Sequence, residues 1–199
     1  MTMEIRIKHK TIGSGHPVFI IAEIGTNHNG NLELALEMVE RAGELGADAV
    51  KFQPVAPWAS YVEGTEAHAI YSRTWLELED WKKIKERAER CNLIFFAAPA
   101  DLPGAEMMRT LQIPLVKISS PSMTSVPLQD AVAAYGVPVM VSTGMSYVGE
   151  VEKVVLRLNA RGVKEIILLH CVSLYPSPVE CLNLKAIQTM MQVFPYPIG

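Results

Sequence analysis

Short apolar runs alternate along the chain with longer segments of helical periodicity. The runs are rich in Val, Ile and Phe and almost free of polar residues, which is typical of strands that are covered on both faces. They are Val18–Ile24, Ala49–Gln53, Leu93–Ala97, Leu115–Ser119, Val137–Ser142 and Ile166–Cys171. Their spacing predicts six parallel strands, each followed by a helix.

The segments between the runs carry helix start and stop signals. Asn31 is placed to cap the first helix, and Asp101 stands before Pro103 at the start of a later one. Residues suited to a left-handed helix end follow the periodic segments; they are Gly46, Asn92, Gly136 and Gly162. Each of them precedes an apolar run, so the chain predicts repeated strand–helix units.

Two architectures are compatible with this repetition, an open doubly wound sheet and an eight-fold barrel. No GxGxxG or Walker sequence supports the nucleotide-binding version of the open sheet. We predict an α/β fold of the (β/α)8 TIM-barrel type, which has eight units and typically about 250 residues. Six units are present, and Pro195–Gly199 resembles the approach to a seventh strand. The barrel is therefore predicted to be incomplete and to form a single domain over residues 1–199.

A short segment precedes the first unit of the predicted barrel. Glu4–Lys10 alternates apolar and polar residues and is followed by Gly13-Ser14-Gly15. This pattern predicts a small β-hairpin that caps the floor of the barrel.

Composition narrows the class of protein further. The 199 residues are 49% hydrophobic and carry a net charge of −3 without a basic stripe, which argues against a nucleic-acid partner. We find no signal sequence and no apolar run of membrane length, so no membrane association is predicted. The three cysteines show no CxxC spacing, which argues against a disulfide framework. Together these features predict a cytoplasmic protein.

Polar residues interrupt the apolar runs near their carboxyl ends. They are Glu23, Lys51, Gln53, Lys117, Ser119, Ser120, Ser142, Thr143 and His170. Because the carboxyl ends of barrel strands form the active-site mouth, the two lysines and the hydroxyls predict an anion site. A lysine at a strand end is often only a side chain that reaches solvent, and a single histidine there is as often a core residue. The pair of lysines together with a glutamate favours a functional site.

Residues 20–53 read IIAEIGTNHNGNLELALEMVERAGELGADAVKFQ. This stretch resembles the opening of the N-acetylneuraminate (sialic acid) synthase family, whose signature is AEIG-x-NH-x-G followed by a helix and GADAVKFQ. Three later blocks match the family in the same order; they are LVKISS (115–120), VSTGM (141–145) and LLHCVSLYPSP (168–178). The resemblance covers nearly the whole chain, and it places the chain in the amino-terminal barrel of such proteins.

The resemblance implies condensation of phosphoenolpyruvate with an N-acylated aldose, such as N-acetylmannosamine, to a nonulosonic acid and phosphate. Family members use a divalent metal, manganese or magnesium, to polarise the aldehyde. The metal-binding histidines of the family would lie beyond Gly199, so the resemblance implies no metal ligand within this chain. A homodimer and a carboxyl-terminal antifreeze-like domain are expected of full-length members. The present residues alone are therefore expected to be inactive.

Site residues follow from the matching motifs. The resemblance implies that Glu23, Lys51 and Lys117 are catalytic and that the lysines hold phosphoenolpyruvate. The remaining substrate-binding positions are Gln53, Ser120, Ser142, Ser173 and Tyr175; the two serines 120 and 142 face phosphoenolpyruvate, and the other three face the sugar. Asn27, His28 and Asn29 form either a substrate-contacting loop or a hydrogen-bonded turn that shapes the mouth.

Some positions depart from the family pattern. Ala98 replaces a threonine, Ser122 replaces a glutamate, and the segment between Gln53 and Trp75 is shorter than in family members. These departures keep open a non-catalytic paralogue that binds an anion or serves as a structural subunit. A third possibility is an aldolase with Lys117 as a Schiff-base lysine. The synthase is the interpretation that most residues support.

Overall fold

The computed structural model describes residues 3–199, and their contacts divide them into two compact units. One unit comprises Val18–Leu115, and the other comprises residues 3–17 together with Val116–Gly199. We call them the 18–115 unit and the 116–199 unit. The prediction of a single domain over residues 1–199 stays a prediction.

The elements alternate between strand and helix over most of the chain. In chain order they are β1 Ile5–Ile7, β2 Lys10–Ile12, β3 Ile21–Gly25, α1 Leu32–Glu44, β4 Ala49–Phe52, α2 Pro57–Ser60, α3 Glu66–Thr74, α4 Leu78–Arg90, β5 Ile94–Ala97, α5 Leu102–Thr110, β6 Val116–Ile118, α6 Val126–Ala133, β7 Val139–Ser142, α7 Val148–Ala160, β8 Ile166–Leu169 and α8 Lys185–Val193. Every apolar run of the sequence coincides with a strand, and β3 extends one residue beyond its run, to Gly25. The strands are shorter than the runs, because ladder hydrogen bonds end where the chain turns into a loop or helix.

From β3 to β8, the strands within each unit pair in parallel and in chain order. In the 18–115 unit β3 pairs with β4 and β4 with β5, and Glu23 lies opposite Lys51. In the 116–199 unit β6 pairs with β7 and β7 with β8, and Lys117 lies opposite Met140. All residues of β4, β5, β6 and β7 are buried, as expected for strands flanked by helical crossovers. The predicted α/β organisation is confirmed.

The predicted helix ends are confirmed at the level of individual hydrogen bonds. Asn31 Oδ1 accepts from the Leu34 amide at 3.1 Å and caps α1. Asp101 Oδ1 accepts from the Gly104 amide at 2.8 Å and caps α5. Asn92 adopts a φ of +58° after α4, as a left-handed helix end requires. Local sequence therefore sets where these helices begin and end.

Two elements have no counterpart in the sequence prediction. The short helices α2 and α3 lie between β4 and α4, where the apolar periodicity is weak, and none of the residues of α3 is buried. Without a buried face, a helix leaves little hydrophobic pattern in its sequence.

The amino-terminal hairpin is confirmed, with β1 antiparallel to β2. Its turn lies at Lys8 and His9, where Lys8 has a φ of +51°, and the Gly13–Gly15 stretch follows the second strand. Met3 donates its amide to the Pro195 carbonyl at 3.4 Å, so the hairpin contacts the segment that leads away from α8. Its role as a cap of the barrel floor stays a prediction.

The last residues of the chain pair with β8. Leu168 forms a parallel bridge with Ile198, and the Gly199 amide donates to the Leu168 carbonyl at 2.9 Å. The His170 amide in turn donates to the Gly199 carbonyl at 2.8 Å. The expectation that these residues approach a seventh strand is confirmed.

Within the described residues 3–199, every helix is too short or too polar to cross a lipid bilayer.

Candidate functional site

A buried lysine and a glutamate form an ion pair at adjacent strands of the 18–115 unit. Glu23 on β3 and Lys51 on β4 are register partners, so their side chains point to the same face. The Oε2–Nζ distance is 2.5 Å; the lysine side chain is 3% exposed and the glutamate side chain 59%. The lysine charge is thus held in the interior by one carboxylate that also reaches solvent. Such a cation can bind an anionic substrate without first being dehydrated.

Gln53 follows β4 directly and lies beside the end of β3. Its amide donates to the Gly25 carbonyl at 3.2 Å. Gly25 has a φ of +59°, and a β-carbon there would lie 3.0 Å from Gln53 Oε1. Glycine therefore permits both the backbone turn and the close approach of the glutamine side chain. The structure brings together Glu23, Lys51 and the backbone of Gln53 at the ends of two neighbouring strands.

The loop after β3 is a hydrogen-bonded turn. Asn27 Nδ2 donates to the Ile24 carbonyl at 2.9 Å, and His28 Nδ1 accepts from the Gly30 amide at 3.2 Å. Asn29 has a φ of +50°, which asparagine tolerates better than most residues. Of the two interpretations of this loop, these bonds favour the turn that shapes the strand end.

His28 is buried in an aromatic cluster. Its ring packs against Phe52 at 5.9 Å and edge-on against Trp81 at 5.8 Å, both measured between ring centroids. Because Nδ1 accepts a hydrogen bond, Nε2 carries the proton, and Nε2 has no hydrogen-bond partner among the described residues. Burial lowers the pKa of His28 from 6.5 to about 4, so the ring is neutral at pH 7.

Asp101 connects two loops at the carboxyl ends of β4 and β5. Its Oδ2 accepts from the Ala56 amide at 2.8 Å and from Ser60 Oγ at 2.6 Å. Its Oδ1 accepts from the Gly104 amide at 2.8 Å. One buried carboxylate therefore caps α5 and also fixes the segment that begins after Gln53.

A group of hydroxyls surrounds Gly144 in the 116–199 unit. The Gly144 amide donates to Ser120 Oγ at 3.1 Å. A β-carbon at residue 144 would lie 2.9 Å from Ser120 Oγ and 2.6 Å from Ser173 Oγ. Two of the predicted site serines thus lie against the same glycine, after β6 and after β8. Hydroxyls and a backbone amide in this arrangement suit the oxygen atoms of an anion.

Ser142 and Thr143 extend this group along the end of β7. Ser142 is buried and accepts a weak hydrogen bond from Cys171 Sγ at 3.4 Å. Thr143 donates both its amide and its hydroxyl to the Leu169 carbonyl, each at 3.0 Å. These contacts fix the end of β7 against the end of β8.

Replacing Gly144 with alanine should displace the hydroxyls of Ser120 and Ser173, because the added methyl group overlaps both. We expect a loss of about 1–3 kcal/mol in the free energy of unfolding, measured by urea denaturation. Gly149 is the matched control, since a β-carbon there has no neighbour within 4 Å. Gly149→Ala should not destabilise the protein, because alanine favours the helix. Equal stability of the two variants would contradict the close packing at Gly144.

The other predicted residues of this unit lie in different surroundings. Lys117 on β6 is buried, and Ser119 Oγ donates to Ser122 Oγ at 3.0 Å after the strand ends.

Tyr175 is 95% exposed. His170 Nε2 donates to the Leu182 carbonyl at 2.8 Å, because a carbonyl can only accept. His170 therefore connects the two ends of the loop that carries Ser173 and Tyr175. The convergence of Lys51 and Lys117 on one anion stays a prediction.

The resemblance implies metal ligands beyond Gly199, and this expectation stays a prediction. Among residues 3–199, no three or more His, Cys, Asp or Glu side chains come together in a way that could hold a metal ion. We therefore assign no metal ligand in the described part of the chain and derive no step through a metal.

Three features of the site were not recognised in the sequence. The contact of Gly144 with two serines has no signal in the sequence beyond the glycine itself, and the sequence around Asp101 predicts only a helix cap. The segment after Gln53 also carries four aromatic residues in two ring pairs; they are Trp58, Tyr61, Tyr71 and Trp75. Their spacing could have indicated a common surface, because Trp and Tyr are enriched where an apolar ring meets a polar surface.

Comparison with curated proteins gives related sequences in archaea and bacteria. An uncharacterized protein of Methanocaldococcus jannaschii is 39% identical over 98% of this chain and 58% of its own length. The N,N'-diacetyllegionaminic acid synthase of Campylobacter jejuni is 35% identical over 90% of this chain and 59% of its own length. The chain thus spans just under three fifths of the length of these relatives.

A solved structure matches the whole chain. The crystal structure of N-acetylneuraminic acid synthetase from Leptospira borgpetersenii, in complex with citrate, superimposes with a TM-score of 0.95 at 36% identity, over 100% of this chain and 70% of that one. This match confirms the predicted fold class, an α/β fold of the barrel type. Residues 38–199 match the sequence model of the NeuB family, which is more than half of the chain. The chain therefore belongs to the NeuB family.

Proposed function

We propose that the protein condenses phosphoenolpyruvate with an N-acylated aldose to a nonulosonic acid and phosphate. The observation that carries the proposal is the buried Lys51 paired with Glu23 at a strand end, in a chain of the NeuB family. A buried cation beside a partly exposed carboxylate suits a site that must bind an anion and also manage protons. The name of the Campylobacter relative supports a synthase of this class.

The proposed reaction forms one carbon–carbon bond, and it replaces the carbon–oxygen bond to phosphate with a carbon–oxygen bond to water. The methylene carbon of phosphoenolpyruvate attacks the aldehyde carbon of the sugar, and the aldehyde oxygen takes up a proton. Water adds to the resulting oxocarbenium carbon and loses a proton, and phosphate then leaves from that carbon. The balance is phosphoenolpyruvate, aldose and water giving nonulosonic acid and phosphate, and no oxidant or reductant is needed.

We assign roles to the residues on this basis. Lys51 and Lys117 would neutralise the phosphate and carboxylate of phosphoenolpyruvate, and Ser120 and Ser142 would orient it through hydrogen bonds. Glu23 would donate the proton to the aldehyde oxygen or take the proton from the added water, because its carboxylate is held by Lys51 yet reaches solvent. The hydroxyls around Gly144 support the assignment of Ser120 to the anion.

The acceptor would lie beside the remaining predicted residues. Gln53 and Ser173 carry groups that can hydrogen-bond a sugar, and the ring of Tyr175 is open to solvent. We further propose that the protein acts in the cytoplasm, where phosphoenolpyruvate is made, and that it works as a homodimer with a divalent metal, manganese or magnesium.

The proposal is tested with the complete protein that contains residues 1–199. It is incubated with phosphoenolpyruvate, manganese and a panel of N-acylated aldoses, and free phosphate is measured. We expect phosphate release that depends on one of the sugars. The absence of release with every sugar would overturn the proposed synthase.

Replacing Lys51 or Lys117 with methionine should weaken phosphoenolpyruvate binding about tenfold to a hundredfold. A hydrogen bond to a charged group contributes about 1.5–3 kcal/mol, and methionine keeps the buried volume without the charge. Binding is measured by isothermal titration calorimetry with the complete protein. Lys82→Met, on the solvent side of α4, is the control and should bind like the wild type. Unchanged affinity in both site variants would contradict the assignment of the lysines.

A non-catalytic paralogue is the second candidate. Ala98 and Ser122 favour it, because two groups that the family places at the mouth are replaced. In that case phosphoenolpyruvate or phosphate would bind, and the lysine variants would lose it, while no sugar would give phosphate release. The two experiments together therefore separate a synthase from an anion-binding relative.

A further inference from the structure

A groove lies between α6 and α7 of the 116–199 unit. Its volume is about 340 Å³, which falls in the range of small-molecule sites. Apolar and polar side chains both line it; they include Met123, Val126, Gln129, Glu150, Lys153 and Val154. The roles that we assign in the proposed reaction involve none of these residues, so the groove is a separate surface of the protein.

Met123 forms a fixed part of the groove lining. It is fully buried, and its carbonyl accepts from Gln129 Nε2 at 2.5 Å. Its amide donates to the Ser120 carbonyl at 3.2 Å. Because the backbone of Met123 is held on both sides, a ligand does not have to order this part of the groove in order to bind.

Gln129 brings a hydrogen-bond acceptor to the groove. Its side chain is 97% buried, and its Nε2 is occupied by the Met123 carbonyl, whereas Oε1 accepts no hydrogen bond from the described residues 3–199. Within that range the enclosed side-chain atoms without a partner are His28 Nε2 and Trp81 Nε1, so Gln129 Oε1 is not sealed off from the groove. A hydroxyl or N–H group of a ligand would therefore gain a hydrogen bond that the protein itself does not make.

The charges around the groove leave one cation for a ligand. Arg157 donates from Nε and Nη2 to the two carboxylate oxygens of Asp130 at 3.0 and 2.7 Å, and these hydrogen bonds lower the pKa of Asp130. Glu150 Oε2 accepts from the Tyr147 amide at 2.8 Å, at the start of α7, where a negative charge is favoured. Lys153 is exposed and forms no ion pair with the described part of the chain. An anionic group in the groove would therefore pair with Lys153.

We propose that the groove between α6 and α7 binds a small carboxylate that has an apolar body and one hydrogen-bond donor. The carboxylate pairs with Lys153, and the donor binds Gln129 Oε1. The apolar body packs against Val126 and Val154, as expected of a site lined mostly by apolar groups with a few polar ones. A phosphate monoester is disfavoured, because it carries about two negative charges and Glu150 lines the same groove.

The test uses 4-hydroxyphenylacetate, which has all three features, and the complete protein that contains residues 1–199. Phenylacetate lacks the donor, 4-hydroxyphenylacetamide lacks the charge, and tyramine carries the opposite charge. Each probe is titrated while NMR follows the isotope-labelled methionine methyl groups, and Met123→Leu identifies the Met123 signal. We expect 4-hydroxyphenylacetate to shift this signal and to bind about threefold to tenfold more tightly than each analogue.

Two variants test the groove itself. Lys153→Met should weaken the binding of 4-hydroxyphenylacetate about threefold to tenfold and remove its preference over the amide. Val126→Trp should prevent binding, because the larger side chain fills the groove from an exposed position. Lys164→Met is the matched control, since Lys164 is an exposed lysine of the same unit that does not line the groove. It should bind like the wild type.

The proposed site is overturned if no probe shifts the Met123 signal, if the amide or tyramine binds as tightly as 4-hydroxyphenylacetate, or if Lys153→Met keeps the wild-type dissociation constant. Equal affinity for phenylacetate would contradict the assigned contact with Gln129. Phosphate release with a sugar is measured separately and involves other residues, so a failure of this site is distinguishable from a failure of the proposed synthase.

Discussion

Replacing Asp101 with alanine is expected to lower the free energy of unfolding by about 3–5 kcal/mol. The variant removes one buried carboxylate that accepts three hydrogen bonds, and it leaves the amides of Ala56 and Gly104 without their partner. An unsatisfied buried donor costs about 1–3 kcal/mol, and the cap of α5 is lost at the same time. Urea denaturation followed by circular dichroism measures the change.

Asn31→Ala is the matched control, because Asn31 also caps a helix but with a single hydrogen bond at an exposed position. It should cost about 1 kcal/mol. Asp101→Asn should fall between the two alanine variants, since the amide retains one accepting oxygen. If Asp101→Ala were no less stable than Asn31→Ala, the connection between the two loops would contribute nothing to folding.

Acidification from about pH 6.5 to pH 4 is expected to destabilise the protein through His28 by up to about 3 kcal/mol. The pKa of His28 falls to about 4 in the folded state because the ring is buried, whereas the unfolded chain retains the ordinary value of 6.5. Between these values the unfolded state binds a proton that the folded state does not, so the free energy of unfolding decreases as the pH falls. Above pH 6.5 both states are neutral and the contribution is constant.

The measurement is the free energy of unfolding of wild type and His28→Phe at several pH values. Phenylalanine fills the aromatic cluster without a titratable group, so the difference between the two proteins should change by about 1.4 kcal/mol per pH unit in this window. Phe52→Leu disturbs the same cluster and should lower stability by a similar amount at every pH. A wild-type curve parallel to that of His28→Phe would exclude His28 as the cause.

The sequence predicts the strands and helices wherever burial produces a pattern of apolar residues along the chain. Strands such as Ala49–Phe52 are covered on both faces, so they appear as continuous apolar runs, and the caps Asn31 and Asp101 are local signals. α2 and α3 escaped prediction because they are short and expose most of their surface. A helix that is held by a few specific contacts, such as those of Asp101, shows no periodic pattern of apolar residues in its sequence.

The candidate site was partly predictable for a similar reason. Glu23 and Lys51 stand out because charges interrupt apolar runs, and strand register then places them opposite each other. The contact of Gly144 with Ser120 and Ser173 depends on how loops from three strands approach, which residue type alone does not determine. The family motifs indicate that Ser120 and Ser173 are site residues, but only the folded structure shows that both contact Gly144.

The hydrogen bond from His170 to the Leu182 carbonyl closes a loop over residues 171–181. Closing a segment of this length costs about 2 kcal/mol of conformational entropy plus a constant. Because the hydrogen bond forms when the chain folds, this entropy is lost on folding and not on ligand binding. A ligand that contacts Ser173 thus meets a segment whose ends are already held together. The affinity of such a ligand is not reduced by ordering the base of the loop. At the tip, Ser177 Oγ donates to the Leu174 carbonyl at 2.7 Å, so the chain on the two sides of the exposed Tyr175 is also held together.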